Sequence, residues 1–222
     1  MNSGIGPEGY FEEFYLSRDW RFYKGVLSRI VTMSEPGPIL DLGAGCGYLV
    51  EACHRWGLEC VGLEGSENAV EITRQRCPEI DIRQFLLSEP LPFEQDYFST
   101  VIMNQVIEHL EPPVLNSCVG EVFRVLRPGG VLIVFSPSRF NKRERLEDPT
   151  HIHMYSPEEL RSFLSSKGFT EILSTDSPLP LLGDSRLGRF IMSALFRVTR
   201  WERLSSTANC IAYKQRNLDK ET

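Results

Sequence analysis

A chain of 222 residues, 41% hydrophobic and 24% charged, is sized for one domain with a full core. Its net charge of −6 argues against nucleic acid as a partner, because neutralising phosphates takes a surplus of Lys and Arg. No apolar run reaches the roughly 18 residues that a spanning helix needs, and MNSGIGPEGYFEEFY has no secretion-signal pattern, so a cytoplasmic protein is expected.

The cysteines at 46, 53, 60, 77, 118 and 210 form no CxxC pair and read as reduced thiols. Residues 10–33 mix apolar and charged positions at helical spacing, and SEPGP breaks the pattern. A short apolar strand, Ile39–Leu42, leads to a helix over about 47–56 that Gly57 closes. Strands at 59–64, 80–87, 100–107 and 131–137 then alternate with helices at 67–77 and 114–126, and Arg127-Pro128-Gly129-Gly130 reads as a turn. A helix over 156–169 carries Ser156 as N-cap, Pro157 first in the helix and Glu158 and Glu159 in its first turn. Final strands fall at 170–176 and 208–214. Strands alternating with helices predict a doubly wound α/β sheet, mostly parallel and covered on both faces.

In such a sheet, ligands bind beyond the carboxyl ends of the strands, where the first strand turns into its helix. That turn reads DLGAGCGYL, with Gly43, Gly45 and Gly47 at every second position and Asp41 two residues ahead. Dinucleotide binding wants GxGxxG, but position 48 is Tyr.

The pattern resembles the first motif, (D/E)xGxGxG, of the class I S-adenosylmethionine (AdoMet)-dependent methyltransferases. Asp41, Gly43, Ala44, Gly45 and Gly47 match it, Glu64 ends the second strand, and LPFEQDYFSTVIMNQVIEHL and FRVLRPGGVLIVFSP follow in the family's order. The stretches around LPF and EHL resemble type 11 methyltransferases of ubiquinone and menaquinone pathways. The resemblance covers roughly residues 36–176 and implies a Rossmann-like seven-stranded sheet, ordered 3-2-1-4-5-7-6 with the last strand antiparallel. It also implies an N-terminal helical lid over residues 1–35, before a methyltransferase domain over 36–222. A helix packed against the sheet is the other reading of that aromatic segment.

The resemblance implies AdoMet as cofactor, S-adenosylhomocysteine as product, and Gly65, Leu87, Asn104 and Gln105 as further cofactor contacts. The glycines would let the backbone pass under the methionine end, Asp41 would place charge near the ammonium, and Glu64 would accept both ribose hydroxyls. One departure stands out. Where relatives carry an Asp for the adenine amino group, this chain has Leu86 or Leu87, so Ser88, Glu89 or a backbone carbonyl must replace it.

The expected reaction is methyl transfer to a small organic acceptor through O, N or C. The rivals are a protein that binds AdoMet without catalysis, and a nicotinamide-dependent oxidoreductase. A general base is needed only where the acceptor carries a proton. His109 and His153 are the catalytic candidates, and packing of the cofactor loop is the other reading of His109. In DPTHIHMYSP, His151 and Tyr155 are candidate acceptor contacts; His151 and His153 would point the same way in an extended segment. Their other readings are bonding of loop backbone or half of a metal site, and no metal is expected.

Residues 186–204 combine apolar positions at helical spacing with five Arg and one Glu. This basic amphipathic helix, inserted before the last strand, either packs its apolar face on the domain or a dimer partner, or touches a membrane surface. Monomer and homodimer are both open.

Overall fold

The computed structural model describes residues 19–179, 186–199 and 201–216. Its seven-stranded sheet comprises β1 (Ile39–Leu42), β2 (Cys60–Glu64), β3 (Asp81–Gln84), β4 (Phe98–Asn104), β5 (Leu126–Phe135), β6 (Phe169–Ser174) and β7 (Cys210–Lys214). The order is β3-β2-β1-β4-β5-β7-β6. The first five strands are parallel, and β7 runs antiparallel to both β5 and β6.

Helices cover both faces: α1 (Lys24–Met33), α2 (Tyr48–Arg55), α3 (Glu67–Arg76), α4 (Pro112–Val125), α5 (Lys142–Glu147), α6 (Pro157–Ser166) and α7 (Arg186–Thr199). Alternation along the strands sorts the core into two layers. Leu40, Leu42, Val101, Met103, Leu132 and Val134 pack against α4 and α6. Ile39, Ile102, Val131, Ile133 and Ile211 pack against α1 and α2.

The element ends differ from the sequence reading where the ligand end of the sheet begins. The third strand stops at Gln84 rather than at 87, which frees Phe85–Ser88 to leave the sheet. The fourth stops at Asn104 because Gln105 adopts a left-handed conformation, with φ of 58°. Arg127–Gly130 form the irregular start of β5, with a register shift between Phe98 and Thr100, rather than a free turn. Ser156 caps α6 as the sequence implies, in a capping box with Glu159.

Residues 1–18 of the expected lid, with Tyr10, Phe11, Phe14 and Tyr15, lie outside the described residues. From Asp19 onward, a 3-10 turn at Trp20–Tyr23 and α1 place Tyr23, Leu27 and Ile30 on the sheet beside α2. Helix α7 ends at Thr199, and a separate 3-10 turn, Glu202–Leu204, completes the expected 186–204 segment. Its apolar face is turned outward. Leu187, Phe190, Ile191, Leu195 and Val198 are exposed, Phe190 by 71% and Val198 by 85%, while Met192 is buried. Among the described residues, that face is left largely uncovered by the domain.

Candidate active site

A cavity of ≈ 220 Å³ opens at the carboxyl ends of β1, β2 and β4. Gly43, Gly45, Glu64 and Gly65 form one side, Phe85–Ser88 another, and Gln105, Val106, His109, Leu110, Val114 and Thr150 the rest.

The glycine turn is shaped first by the protein itself. A Cβ on Gly43 would stand 2.5 Å from Val106 Cγ2, and one on Gly47 would stand 2.6 Å from Thr73 Cγ2. Both residues have left-handed φ, so only glycine fits at either without strain. The turn is anchored from behind by Arg76, which donates to the Cys46 carbonyl at 2.7 Å, pairs with Glu51 and lies 4.1 Å over the Tyr48 ring.

Glu64 fastens the turn from the front. Its Oε2 accepts the Gly45 N–H at 2.7 Å and its Oε1 accepts the Ser66 N–H at 2.8 Å. The Gly65 N–H also acts on this carboxylate, and its two adjacent acceptor oxygens suit a vicinal diol. Burial raises its pKa while these backbone donors pull it down. Asp41 is buried, and burial with the nearby Glu64 charge pushes its pKa up to about 7. The carboxylates thus make a strained anionic pair, which a cationic ligand would relieve.

Gln105 is a non-glycine residue with left-handed φ, held by its N–H on the Phe135 carbonyl at 2.8 Å. Such conformations persist where the surrounding structure imposes them, and cluster at ligand sites. Across the cavity, the Glu108 carbonyl accepts the Ile152 and His153 N–H groups, at 2.8 and 3.2 Å. These bonds lay the segment after α5 against the turn Ile107–His109. His109 Nδ1 meets the Thr150 carbonyl at 3.2 Å and its Oγ1 at 3.0 Å, and its ring centroid lies 4.9 Å from that of His151. Burial and His151 lower the His109 pKa, and burial lowers that of His151, while Asp148 opposes both shifts.

Of the residues the sequence singles out, Gly43, Gly45, Glu64, Gly65, Leu87, Gln105 and His109 line this cavity. Asp41, Ala44, Gly47 and Asn104 stand behind it as buried or backbone-bonded supports. His151 reaches it through His109. His153 and Tyr155 do not line it: their rings pack on each other at 4.5 Å, and Tyr155 stacks on Phe163. The two histidines therefore face different neighbours, because 151–155 follows the Glu108 turn instead of running as a regular strand. Sequence reasoning did not single out Thr150 or Val114, which carry no motif of their own and reach the cavity only through the fold.

An open α/β sheet with a glycine-rich first turn and an acid ending its second strand defines a doubly wound nucleoside-binding architecture. Residues 40–134 match the family of the "Methyltransferase domain". A relative from Mycolicibacterium smegmatis, named as a probable S-adenosylmethionine-dependent methyltransferase, is 34% identical over 169 residues, covering 75% of this chain and 62% of its own. A ubiquinone biosynthesis O-methyltransferase of Alkalilimnicola ehrlichii is 30% identical, over 49% of this chain and 44% of its own. A SAM-dependent methyltransferase structure from Archaeoglobus fulgidus shares the fold, with TM-score 0.73 at 20% identity, over 94% of this chain and 100% of that one. In sequence over residues 40–134, and in fold, the chain is similar to the class I S-adenosylmethionine-dependent methyltransferases. It spans about 62% of the length of the M. smegmatis relative.

Proposed function

We propose that this protein transfers the methyl group of AdoMet to a small organic acceptor. One observation carries the reading: a single cavity joins the glycine turn and Glu64 on one side to His109 and Thr150 on the other. The residues present suit the cofactor. Glu64 offers paired acceptors for the ribose hydroxyls, and Leu87, Val106 and Leu110 offer apolar surface for adenine. Ser88, which lines the cavity, supplies the polar side chain that Leu86 and Leu87 lack. Asp41 and Glu64 supply negative charge for the cationic methionine end.

AdoMet supplies a methyl group on an already activated sulfonium, so the protein's work is to hold the acceptor in line and exclude water. On the acceptor side, His109 presents an imidazole whose Nδ1 is held by Thr150. Calorimetric titration with AdoMet, S-adenosylhomocysteine and NAD tests the proposal. It expects micromolar binding of the two adenosyl ligands, loss of that binding in Glu64→Ala, and none for NAD. A folded protein that binds no adenosyl ligand would refute it. An AdoMet-binding protein without catalysis would bind the cofactor, yet transfer no radiolabelled methyl group to any class of acceptor.

A second reading concerns the acceptor. The outward apolar face of α7, which also carries the exposed Arg197, suits an anionic membrane surface, which would make the acceptor a lipid-linked precursor. The ubiquinone-pathway relative agrees with this reading. No helix among the described residues is long and apolar enough to cross a membrane, so the contact would be peripheral. Co-sedimentation with vesicles containing phosphatidylserine tests it: salt-sensitive binding is expected, and equal recovery with and without vesicles would refute it.

A further inference from the structure

Beside the cavity, one donor atom each from Glu108, His109 and His151 lie within 4.8 Å of one another. Each side chain has one polar end held by a partner. Glu108 Oε2 accepts the Ser136 hydroxyl at 3.1 Å. His109 Nδ1 is held by Thr150, whose hydroxyl in turn bonds Asp148. His151 Nε2 faces Asp148 Oδ2 at 3.6 Å.

The opposite ends are left over. Glu108 Oε1 and His151 Nδ1 are fully buried with no hydrogen-bond partner, and Nε2 is the remaining nitrogen of His109. A buried polar atom without a partner costs about 1–3 kcal/mol, and two within one cluster ask for an occupant. The charged groups acting on Glu108 are acids, Glu144 and Asp148, so a cation is the favoured one.

We propose that Glu108, His109 and His151 bind one divalent transition-metal ion, which holds an oxygen donor of the acceptor at the edge of the cofactor cavity. Two imidazoles and a carboxylate form a ligand set suited to zinc and to ions such as manganese or iron, with coordination positions left open. The tautomers fit this role. With His109 Nδ1 engaged by Thr150 and His151 Nε2 turned to Asp148, the lone pairs lie on the nitrogens left over. Asp148 and Thr150 are the hydrogen-bonding partners that metal-bound imidazoles ordinarily carry. Donors on one tetrahedral ion stand about 3.4 Å apart, so binding requires the three side chains to draw closer than the 4.8 Å that now bounds their donor atoms. With the ion bound, His109 is a ligand rather than a base, and it lines the cavity, as does Thr150.

The sequence alone hid the third ligand. Glu108 is adjacent to His109 but 43 positions from His151, and the Glu108 carbonyl bonds described above bring the two together.

This inference rests on the methyltransferase reading only for the acceptor's role, and its test is independent of cofactor binding. Protein stripped with chelator is titrated with Co²⁺ and followed by visible absorption, with folding checked by circular dichroism. The expected result is one ion per chain, with a nitrogen and oxygen ligand spectrum and no thiolate charge-transfer band. Affinity should fall at least 100-fold in His151→Ala and in the near-isosteric Glu108→Gln, and about 10-fold in Asp148→Asn. Absence of the spectrum in folded protein at millimolar Co²⁺, a thiolate band, or equal binding by wild type and all variants would overturn the proposal. AdoMet binding without metal binding would defeat this inference alone. Metal binding without AdoMet binding would defeat the methyltransferase reading instead.

Discussion

Replacing Asp41 with Asn should raise stability at alkaline pH and leave it nearly unchanged in acid. In the fold, burial and Glu64 hold the Asp41 pKa at about 7, against 3.8 without those influences. Between those values the folded state keeps a proton that the unfolded chain has lost. Stability therefore falls as pH rises, by about 1.4 kcal/mol per unit. Above pH 7 the full cost is about 4 kcal/mol, and Asp41→Asn removes it because the amide stays neutral in both states. For a domain of this size, about 4 kcal/mol corresponds to a Tm difference of about 10 °C. Thermal melts of wild type and variant at pH 5 and pH 8, without ligand, should coincide within a few degrees at the lower pH and diverge at the higher. A saturating cation near the carboxylates would relieve the wild-type cost, so AdoMet should raise the wild-type Tm more at pH 8 than at pH 5. Equal Tm differences at both pH values would refute the account of a strained anionic pair.

Glu64→Gln keeps the side chain's shape but turns a donor toward the Gly45 or Ser66 N–H. AdoMet affinity should fall about 10- to 100-fold, as expected for losing a charge-assisted hydrogen bond, and a calorimetric change under threefold would contradict the assigned role. Gly43→Ala drives a Cβ into Val106 at 2.5 Å with left-handed φ, so stability should drop by about 1–3 kcal/mol in urea melts; an unchanged midpoint would mean that the turn is not so constrained. The double substitution Phe190→Ser and Val198→Ser, on the outward face of α7, should leave Tm nearly unchanged while abolishing vesicle binding. A fall of many degrees would show that the face is packed in solution.

The parallel sheet was legible because β1, β4 and β5 are apolar runs bounded by turn residues, and because Asp41, the glycines and Glu64 sit at fixed points in the strand-helix alternation. Strand ends were less so. Gln105 carries no sign that it turns left-handed, since that depends on the Phe135 carbonyl beyond it. Phe85–Leu87 read as more strand because Phe85 and Leu87 are apolar and pack against the core while also lining the cavity. The pairing of His151 with His109 and Glu108 was hidden, because local alternation assigned His151 to His153 and only the long-range bonds to the Glu108 carbonyl decide otherwise. The direction of α7 was hidden too: periodicity shows that an apolar face exists, and tertiary packing alone shows which way it turns.

Whether the cavity between Glu64 and His109 holds AdoMet is decided by a crystal structure grown with S-adenosylhomocysteine. Both ribose hydroxyls should lie on the Glu64 carboxylate, adenine between Leu87 and Val106, and the sulfur directed toward His109. Well-ordered crystals at millimolar ligand with the cavity empty, or with the ligand bound away from Glu64, would contradict that placement.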